Sequence, residues 1–166
     1  MKKIINKNLT LYFNNKFPYQ NINISNKKYL VFLGIGGNIG NIGMRFKKLI
    51  LSLKNDSRFY IFKTSPMLKN PPFGYIEQDD FLNAIIVVKT DLPPFVLLRE
   101  MQRYENRFGR TRSFKNAPRK LDIDILNIKK LNQRININHK KLIVPHPGIQ
   151  NRYSVTIPLK YIKIPF

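Results

Sequence analysis

Two aspartates are the residues of this sequence best placed to do chemistry. Asp122 and Asp124 are separated by one residue, and Ile or Leu occupies positions 121, 123, 125 and 126. This pattern predicts a buried strand with both carboxylates on its one polar face. Two residues of strand rise by roughly 6.6 Å, so the carboxylates can converge on one cation or on a metal pair about 3.5 to 4 Å apart.

The two carboxylates need a positive partner. At an effective dielectric near 20, two unit charges separated by that rise repel each other by on the order of 2.5 kcal/mol. The preceding segment supplies the cations Arg110, Arg112, Lys115, Arg119 and Lys120. The spacing alone leaves two interpretations equally open, an ion pair with Arg119, Lys120 or Arg112, or a divalent metal.

The composition points to an anionic partner and excludes several kinds of site. The chain has 166 residues, 30 Lys and Arg against 9 Asp and Glu, a net charge of +21 and no Cys. We therefore expect one domain that binds nucleic acid, an acidic surface or a phosphate-bearing small molecule. Disulfides, thiolate metal sites and Cys nucleophiles are excluded. Because no apolar run is long enough to span a membrane, we expect a soluble, cytoplasmic protein.

The elements that must position the aspartates follow from apolar periodicity and from Gly and Pro. Their order, strand-helix-strand-strand-helix-strand, predicts an α+β protein with a ferredoxin-like (split βαβ) sheet and helices packed on it. We expect a peripheral or partly ordered extension over 1–27, a strand from 28 to a glycine turn, and a helix that is capped by Asn41 and ends near Asn55. Strands should follow over 59–64 and 81–90, with a structureless loop over 65–80 between them, and then a helix from Pro93–Pro94 to about Phe108 with Glu100 on its exposed side. The remaining elements are a basic loop over 109–120, the aspartate strand, a polar hairpin over 127–141 and a Pro-punctuated tail over 142–166.

The glycine turn GIGGNIG, from Gly34 to Gly40, is not a nucleotide-binding fingerprint. Gly40 comes one residue late for the last glycine of G-x-G-x-x-G, and no Gly-Lys-Ser/Thr follows the turn. Two interpretations stay open. The glycines can simply form a tight turn, or they can let a ligand approach the backbone closely.

Three further features suggest binding. Residues 70–73, with Phe81, could wall a pocket for a flat heterocycle. Asn83 is polar within the apolar run FLNAIIVV, so it needs a partner if it is buried. His146 lies between two prolines, six residues before Arg152, where rigid presentation would suit phosphate contacts.

The order of several motifs resembles one enzyme family. A-P-R-x-x-D-I-D, over 117–124, resembles the signature of the 6-hydroxymethyl-7,8-dihydropterin pyrophosphokinases of folate biosynthesis. LGIGGNIGN, QDDFLNA, QRYENRFGRTR, VPHPGIQNR and IPL are similar to further segments of that family, in the same order. The resemblance covers roughly residues 28 to 161 and leaves the N-terminal extension unmatched.

The resemblance implies an enzyme that transfers pyrophosphate from ATP to the hydroxymethyl oxygen of the dihydropterin and releases AMP. It also implies a single pyrophosphokinase domain over 28–166, a three-layer α/β/α arrangement, Mg²⁺ dependence with two ions expected, and a monomer that binds neither nucleic acid nor membranes. The implied residues are Arg110, Arg119, Asp122 and Asp124 for catalysis, Asp122 and Asp124 for metal, Gln102, Glu105, Arg110, Arg112, Arg119, His146 and Arg152 for ATP, and Asn70, Pro71, Phe73, Phe81, Asn83 and Tyr153 for the pterin.

The sequence departs from the family at two places that bear on the site. Ser154 stands where the family has an aromatic that stacks on the pterin, and Tyr153 is its neighbour. The arginine loop is about one residue shorter than in familiar members, and Phe114 is its aromatic residue.

Two rival functions stay open at this point. A ferredoxin-like nucleotidyltransferase would also use paired carboxylates, but it would release pyrophosphate rather than AMP. A single-stranded RNA-binding module would use the basic charge and exposed rings, without ATP turnover. Two adjacent acids amid cations argue mildly against the RNA-binding module.

Overall fold

The computed structural model describes residues 1–111, 114 and 116–166, which form eleven strands and three helices. The strands are β1 (Lys2–Asn6), β2 (Leu9–Tyr12), β3 (Tyr19–Gln20), β4 (Tyr29–Gly37), β5 (Phe59–Thr64), β6 (Met67–Asn70), β7 (Phe81–Thr90), β8 (Asp122–Lys130), β9 (Gln133–Arg134), β10 (Ile137–His139) and β11 (Leu142–Val144). The helices are α1 (Ile42–Lys54), α2 (Pro94–Arg107) and α3 (Tyr153–Ile162).

The centre of the fold is an antiparallel sheet in which β4 lies between β7 and β8, and β5 pairs with the other edge of β7. Strands β4 and β7 are long apolar runs, and most of their side chains are buried on both faces of the sheet. The fold is therefore α+β, with a large antiparallel sheet and three helices, as the element order predicts.

Helices α1 and α2 bury their apolar stripes in the same core, on one face of the sheet. Helix α1 begins as expected, because Asn41 Oδ1 accepts a hydrogen bond of 2.9 Å from the Met44 N–H. The expectation that Glu100 of α2 is exposed is wrong. Its side chain is buried, because Arg58 and Arg103 reach it at 3.0 and 2.6 Å and compensate its charge.

Helix α3 covers the opposite face of the sheet, and the sequence pattern missed it. Its residues Val155 and Ile162 pack with Phe32, Ile85 and Leu126 of the central strands. The helix was obscured by Pro158 in its interior, since proline normally ends a helical pattern.

The segment 65–80 is also more ordered than expected, because β6 forms within it. This strand has only four residues and follows a proline, so its own pattern is weak. It is stabilised from both sides by pairing with β7 and with β2.

The expectation of one polar hairpin over 127–141 is wrong. Strand β8 continues to Lys130 and forms a hairpin with β9, and β10 and β11 form a second hairpin.

The segment 1–27 lies at the edge of the sheet. Strands β1 and β2 form a hairpin, β2 pairs with β6, and β3 pairs with β5. Phe17 nevertheless reaches the main core, where its ring lies 5.9 Å from that of Phe46. Among the described residues, no helix is long and apolar enough to cross a bilayer.

Replacing Phe17 with Ala tests whether this N-terminal segment is part of the cooperative fold. Phe17 is fully buried, so we expect Phe17→Ala to lower the free energy of unfolding by about 3 to 5 kcal/mol, measured by urea denaturation. Ile22→Ala is the matched control, since Ile22 is 89% exposed and its removal leaves the core intact. Equal stability of the two variants would show that the segment folds independently.

An ion-pair network joins the end of α1, the start of β5 and α2. Asp56 accepts two hydrogen bonds from the guanidinium of Arg58, at 2.9 and 2.7 Å, and one from the hydroxyl of Tyr104 at 2.9 Å. The Arg58 hydrogen bonds lower the pKa of Asp56 to about 2. Burial and the Asp56 carboxylate raise the pKa of Tyr104 to about 12.

The lowered pKa of Asp56 makes stability depend on pH. The folded-state pKa lies below the unfolded value of about 3.9, so the stabilisation is complete at neutral pH and is lost as the pH falls from about 4 through 2. Because Arg58 is 40% exposed, solvent screens the pair, and we expect Asp56→Asn to cost about 1 kcal/mol at pH 7. Urea unfolding at pH 7 and pH 3 should show this difference shrinking at pH 3, while Glu77→Gln, in an exposed loop, shows none. A difference that stays constant between the two pH values would contradict the network.

Candidate active site

Asp122 and Asp124 begin strand β8, as the alternation of apolar residues predicts. They pair with Gly36 and Gly34 of β4, while Ile123 between them points into the opposite core. Both carboxylates line one cleft of about 500 Å³. Among the described residues, the other charged or titratable side chains lining that cleft are Arg110, Arg119, His146 and Arg152.

Asp122 is ion-paired. Its carboxylate lies 2.5 Å from Nη1 of Arg110 and 3.0 Å from Nε of Arg119. Of the two interpretations that the sequence left open, the ion pair therefore describes the contacts of Asp122 in this structure.

Asp124 is in a different electrostatic situation, although it is only two residues away. Among the described residues, no Arg or Lys nitrogen lies within 4.0 Å of the Asp124 carboxylate, so Asp124 forms no ion pair with them. Burial and the neighbouring Asp122 raise the pKa of Asp124, and the more distant Arg152, Arg119 and Arg110 offset this only in part. A negative charge held here would be stabilised by an added cation.

The donor set fits a hard divalent cation that also binds a ligand. Within the described part of the chain, no cluster of three or more His, Asp or Glu side chains could enclose a metal by itself. Mg²⁺ commonly takes one or two carboxylates and completes its shell with water and phosphate oxygens. Two carboxylates facing an open, arginine-lined cleft satisfy that requirement.

Glu105 does not line the cleft, but it contacts residues that do so or that lie beside it. It is buried between α2 and β8, where its Oε1 accepts a hydrogen bond of 2.7 Å from the Ile123 N–H and also contacts Arg110. Burial raises the pKa of Glu105, and the bond from Ile123 and the charge of Arg110 oppose that rise. Gln102, on the same helix, is exposed and lines a separate depression.

His146 and Arg152 complete the cleft from the segment before α3. The His146 N–H donates to the Leu126 carbonyl at 2.8 Å, and its Nδ1 accepts from the Gly148 N–H at 3.0 Å. Burial and the charge of Arg152 lower the pKa of His146, so the imidazole is neutral at pH 7. The arrangement presents a neutral, oriented His beside the carboxylates.

A second, aromatic pocket adjoins the cleft. Phe81 and Phe73 provide its rings, and Asn83 donates a hydrogen bond of 2.8 Å to Asn70 at its floor. The Arg119 guanidinium lies 4.9 Å from the centre of the Phe81 ring. The volume of the pocket is about 70 Å³.

Pro71 and Tyr153, the other two residues implied for the pterin, lie outside this pocket and beside it. Pro71 and Tyr153 line a neighbouring cavity of about 500 Å³, together with Phe73 and Ser154. Arg152 lies at the boundary, with its guanidinium 5.0 Å from the centre of the Phe73 ring. Phe114 lines the main cleft, and its ring meets that of Tyr75 at 5.3 Å, whereas Arg112 lies outside the described residues.

The glycine turn has a role that neither interpretation of the sequence anticipated. A Cβ on Gly37 would lie 2.6 Å from the carbonyl oxygen of Lys120, and one on Gly36 would lie 2.4 Å from Oδ1 of Asn83. The glycines therefore admit other parts of the same chain, the backbone before β8 and the Asn83 side chain.

Two positioning side chains were missed by the sequence. Arg45 of α1 donates from Nη1 to the carbonyls of Ile39 and Lys120, at 2.7 and 2.9 Å. Asn38 is buried and bonds to the backbone of Arg119. An Asn in a glycine turn and an Arg on a helix surface carry no local signal, because the segment that they hold, at Arg119 and Lys120, is 81 and 75 residues away in the sequence.

Comparison with known proteins gives one consistent family. A model of the 7,8-dihydro-6-hydroxymethylpterin-pyrophosphokinase (HPPK) family matches residues 32–164. Relatives named 2-amino-4-hydroxy-6-hydroxymethyldihydropteridine pyrophosphokinase include one from Campylobacter jejuni, 43% identical over 146 residues, which are 88% of this chain and 90% of the relative. One from Helicobacter pylori is 41% identical over 82% of each chain, and one from Bacillus subtilis is 37% identical over 80% of this chain and 77% of its own.

Gly37→Ala tests the close approach at the glycine turn. The added Cβ would meet backbone oxygen, which cannot rotate away, so we expect a loss of roughly 1 to 3 kcal/mol in the free energy of unfolding. Gly43→Ala is the matched control. Its Cβ would meet only Asn41 Oδ1 at 3.9 Å, and Ala in a helix should stabilise by about 0.5 to 1 kcal/mol. Urea denaturation should therefore give effects of opposite sign, and two stabilised variants would contradict the close approach.

Proposed function

The chain belongs to the 7,8-dihydro-6-hydroxymethylpterin-pyrophosphokinase family, and we propose that the cleft around Asp122 and Asp124 is its active site. The enzyme transfers pyrophosphate from ATP to 6-hydroxymethyl-7,8-dihydropterin in folate biosynthesis. The products are the dihydropterin diphosphate and AMP.

The proposal rests chiefly on one observation, the wall shared by two pockets. Asp122, Asp124, Arg119 and Arg152 line both the large polar cleft and the small aromatic pocket. Arginines suit a triphosphate, and rings with amides suit a flat heterocycle. The β-phosphorus of ATP and the hydroxymethyl oxygen would therefore meet at the shared wall, where positioning itself lowers the barrier.

The transfer makes one bond and breaks one. The hydroxymethyl oxygen attacks the β-phosphorus, the bond from that phosphorus to the oxygen bridging the α-phosphate breaks, AMP leaves with the bonding electrons, and the hydroxyl proton passes to solvent. Charge accumulates on the phosphate oxygens, so cationic side chains carry most of the catalysis. We assign catalysis to Arg110, Arg119, Asp122 and Asp124, and ATP binding to Arg110, Arg112, Arg119, His146 and Arg152. Gln102 and Glu105 are added to the ATP set on the family resemblance alone, since neither lines the cleft in this structure.

Asp122 and Asp124 are the residues that would hold Mg²⁺, with two ions expected. Bound there, the ions would neutralise and align the triphosphate. The lack of a described ion-pair partner for Asp124 supports this assignment. Asp122 would give up its ion pairs with Arg110 and Arg119 when it binds Mg²⁺. The two guanidinium groups would then be available to phosphate oxygens.

We assign pterin binding to Asn70, Pro71, Phe73, Phe81, Asn83 and Tyr153. The Asn83–Asn70 amide pair offers both donors and acceptors for the edge of the heterocycle. The Phe81 ring offers an apolar face, over which the Arg119 guanidinium lies.

The wider organisation follows the same proposal. Residues 28–166 form the catalytic domain, and residues 1–27 extend its sheet. The strand order β8-β4-β7-β5, with α1 and α2 on one face, supports a ferredoxin-like split βαβ core, and α3 would give three layers. The enzyme would act as a cytoplasmic monomer whose ligands are ATP and the dihydropterin rather than nucleic acid or membranes.

Product analysis tests the proposed reaction directly. Incubation with ATP, Mg²⁺ and 6-hydroxymethyl-7,8-dihydropterin should give AMP and the dihydropterin diphosphate in equal amounts, resolved by chromatography. Release of pyrophosphate would indicate nucleotidyl transfer, and release of ADP would indicate transfer of a single phosphoryl group. Either product would overturn the proposal.

Removing either carboxylate tests the metal assignment. We expect Asp122→Ala and Asp124→Ala each to lower kcat at least about a hundredfold, because the charge stabilisation of the transferring group is lost. Circular dichroism should show an intact fold. Asp91→Ala is the control, since Asp91 is an exposed carboxylate that pairs with Lys27 at 3.4 Å. Near-normal turnover in either active-site variant would remove the metal assignment.

A further inference from the structure

Asn38 has no role in the proposed chemistry, yet its side chain joins two segments that build the site. It directly follows β4 and is only 7% exposed. It lies outside the sets of residues assigned above to ATP, the pterin and metal. Its buried amide is nevertheless fully hydrogen-bonded, and all of its partners are distant in sequence.

One side of Asn38 holds Arg119. The Asn38 N–H donates to the Arg119 carbonyl at 3.0 Å, and Asn38 Oδ1 accepts from the Arg119 N–H at 2.9 Å. Both backbone polar groups of Arg119 are thus bound to one residue. This fixes the origin of the guanidinium that contacts Asp122 and covers Phe81.

The other side of Asn38 holds the loop between β6 and β7. Its Nδ2 donates to Oε1 of Gln78 at 2.8 Å and to the Asp79 carbonyl at 3.0 Å. Gln78 in turn donates from Nε2 to the carbonyls of Asn116 and Tyr75, at 2.9 and 2.6 Å. Two consecutive side-chain amides therefore connect this loop to the segment that carries Arg119.

The orientation of the Asn38 amide is determined by its partners. The Arg119 N–H can only donate and the Asp79 carbonyl can only accept, so the oxygen must face one segment and the nitrogen the other. The amide keeps partners on both sides only when the loop and the Arg119 segment both lie against the end of β4. A buried amide that lost one side would carry an unsatisfied group, at a cost of about 1 to 3 kcal/mol.

We propose that Asn38 is a positioning residue that couples the seating of loop 75–79 to the placement of Arg119. The inference rests on the proposed function, because Arg119 and the pocket beside this loop are assigned there to ATP and the pterin. Seating of the loop over a bound pterin would hold Arg119 in register with the phosphates. Loss of the link would leave both substrates able to bind while misplacing them relative to each other.

Asn38→Asp separates the two sides of the amide. A carboxylate still accepts from the Arg119 N–H, but it cannot donate to Gln78 or Asp79. We expect kcat to fall at least about tenfold, since small misplacements of reacting groups are costly, while the Kd of ATP stays within about twofold. Amide hydrogen exchange should show Arg119 still protected in Asn38→Asp and faster in Asn38→Ala.

A double-mutant cycle with Gln78→Ala distinguishes coupling from a general loss of structure. If the two amides act as one link, Gln78→Ala lowers kcat in the wild-type background and has little further effect in Asn38→Asp. Asn41→Ala is the matched control, because Asn41 only caps α1. It should lower stability by about 1 kcal/mol and leave kcat unchanged.

Two results would overturn the coupling role. One is a wild-type kcat in Asn38→Asp, and the other is a set of kcat losses that multiply independently in the cycle. Failure of the proposed function gives a different result, because the wild-type protein would then release no AMP from ATP and the dihydropterin.

Discussion

The rest of the site depends on an electrostatic constraint, two carboxylates fixed two residues apart at the start of a buried strand. Asp122 is neutralised by arginines, whereas Asp124 has no described ion-pair partner and a raised pKa. Folding alone therefore leaves one negative charge poorly compensated. We propose that such a site binds a cation, which would offset the negative charge of the carboxylates and of a phosphate ligand.

The fold holds this constraint through close backbone contacts rather than through a large core at the site. Gly37 lets the backbone before β8 approach, Arg45 binds the Lys120 carbonyl, and Asn38 binds both backbone groups of Arg119. These contacts fix the arginine backbone. We propose that its side chain exchanges its contacts with Asp122 and Phe81 for phosphate oxygens, while its backbone stays fixed.

The sequence predicted what depends on local pattern and missed what depends on distant partners. The strands over 59–64 and 81–90 were predicted from apolar runs, and the helix cap at Asn41 from residue type. Helix α3, strand β6 and the burial of Glu100 were missed, because each is stabilised by segments far away in the chain. In the site, residue type and resemblance identified Asp122 and the arginines around it, but Asn38 carried no signal without its partners.

We propose that nucleotide binding converts the Asp122 ion pairs into metal contacts. A crystal structure with Mg²⁺, a non-hydrolysable ATP analogue and the dihydropterin tests it most directly. The account predicts oxygens of Asp122 and Asp124 at about 2.0 to 2.1 Å from Mg²⁺, with Arg110 and Arg119 turned to the phosphates. A nucleotide bound in the cleft while Asp122 keeps both arginines and neither carboxylate contacts metal would contradict it.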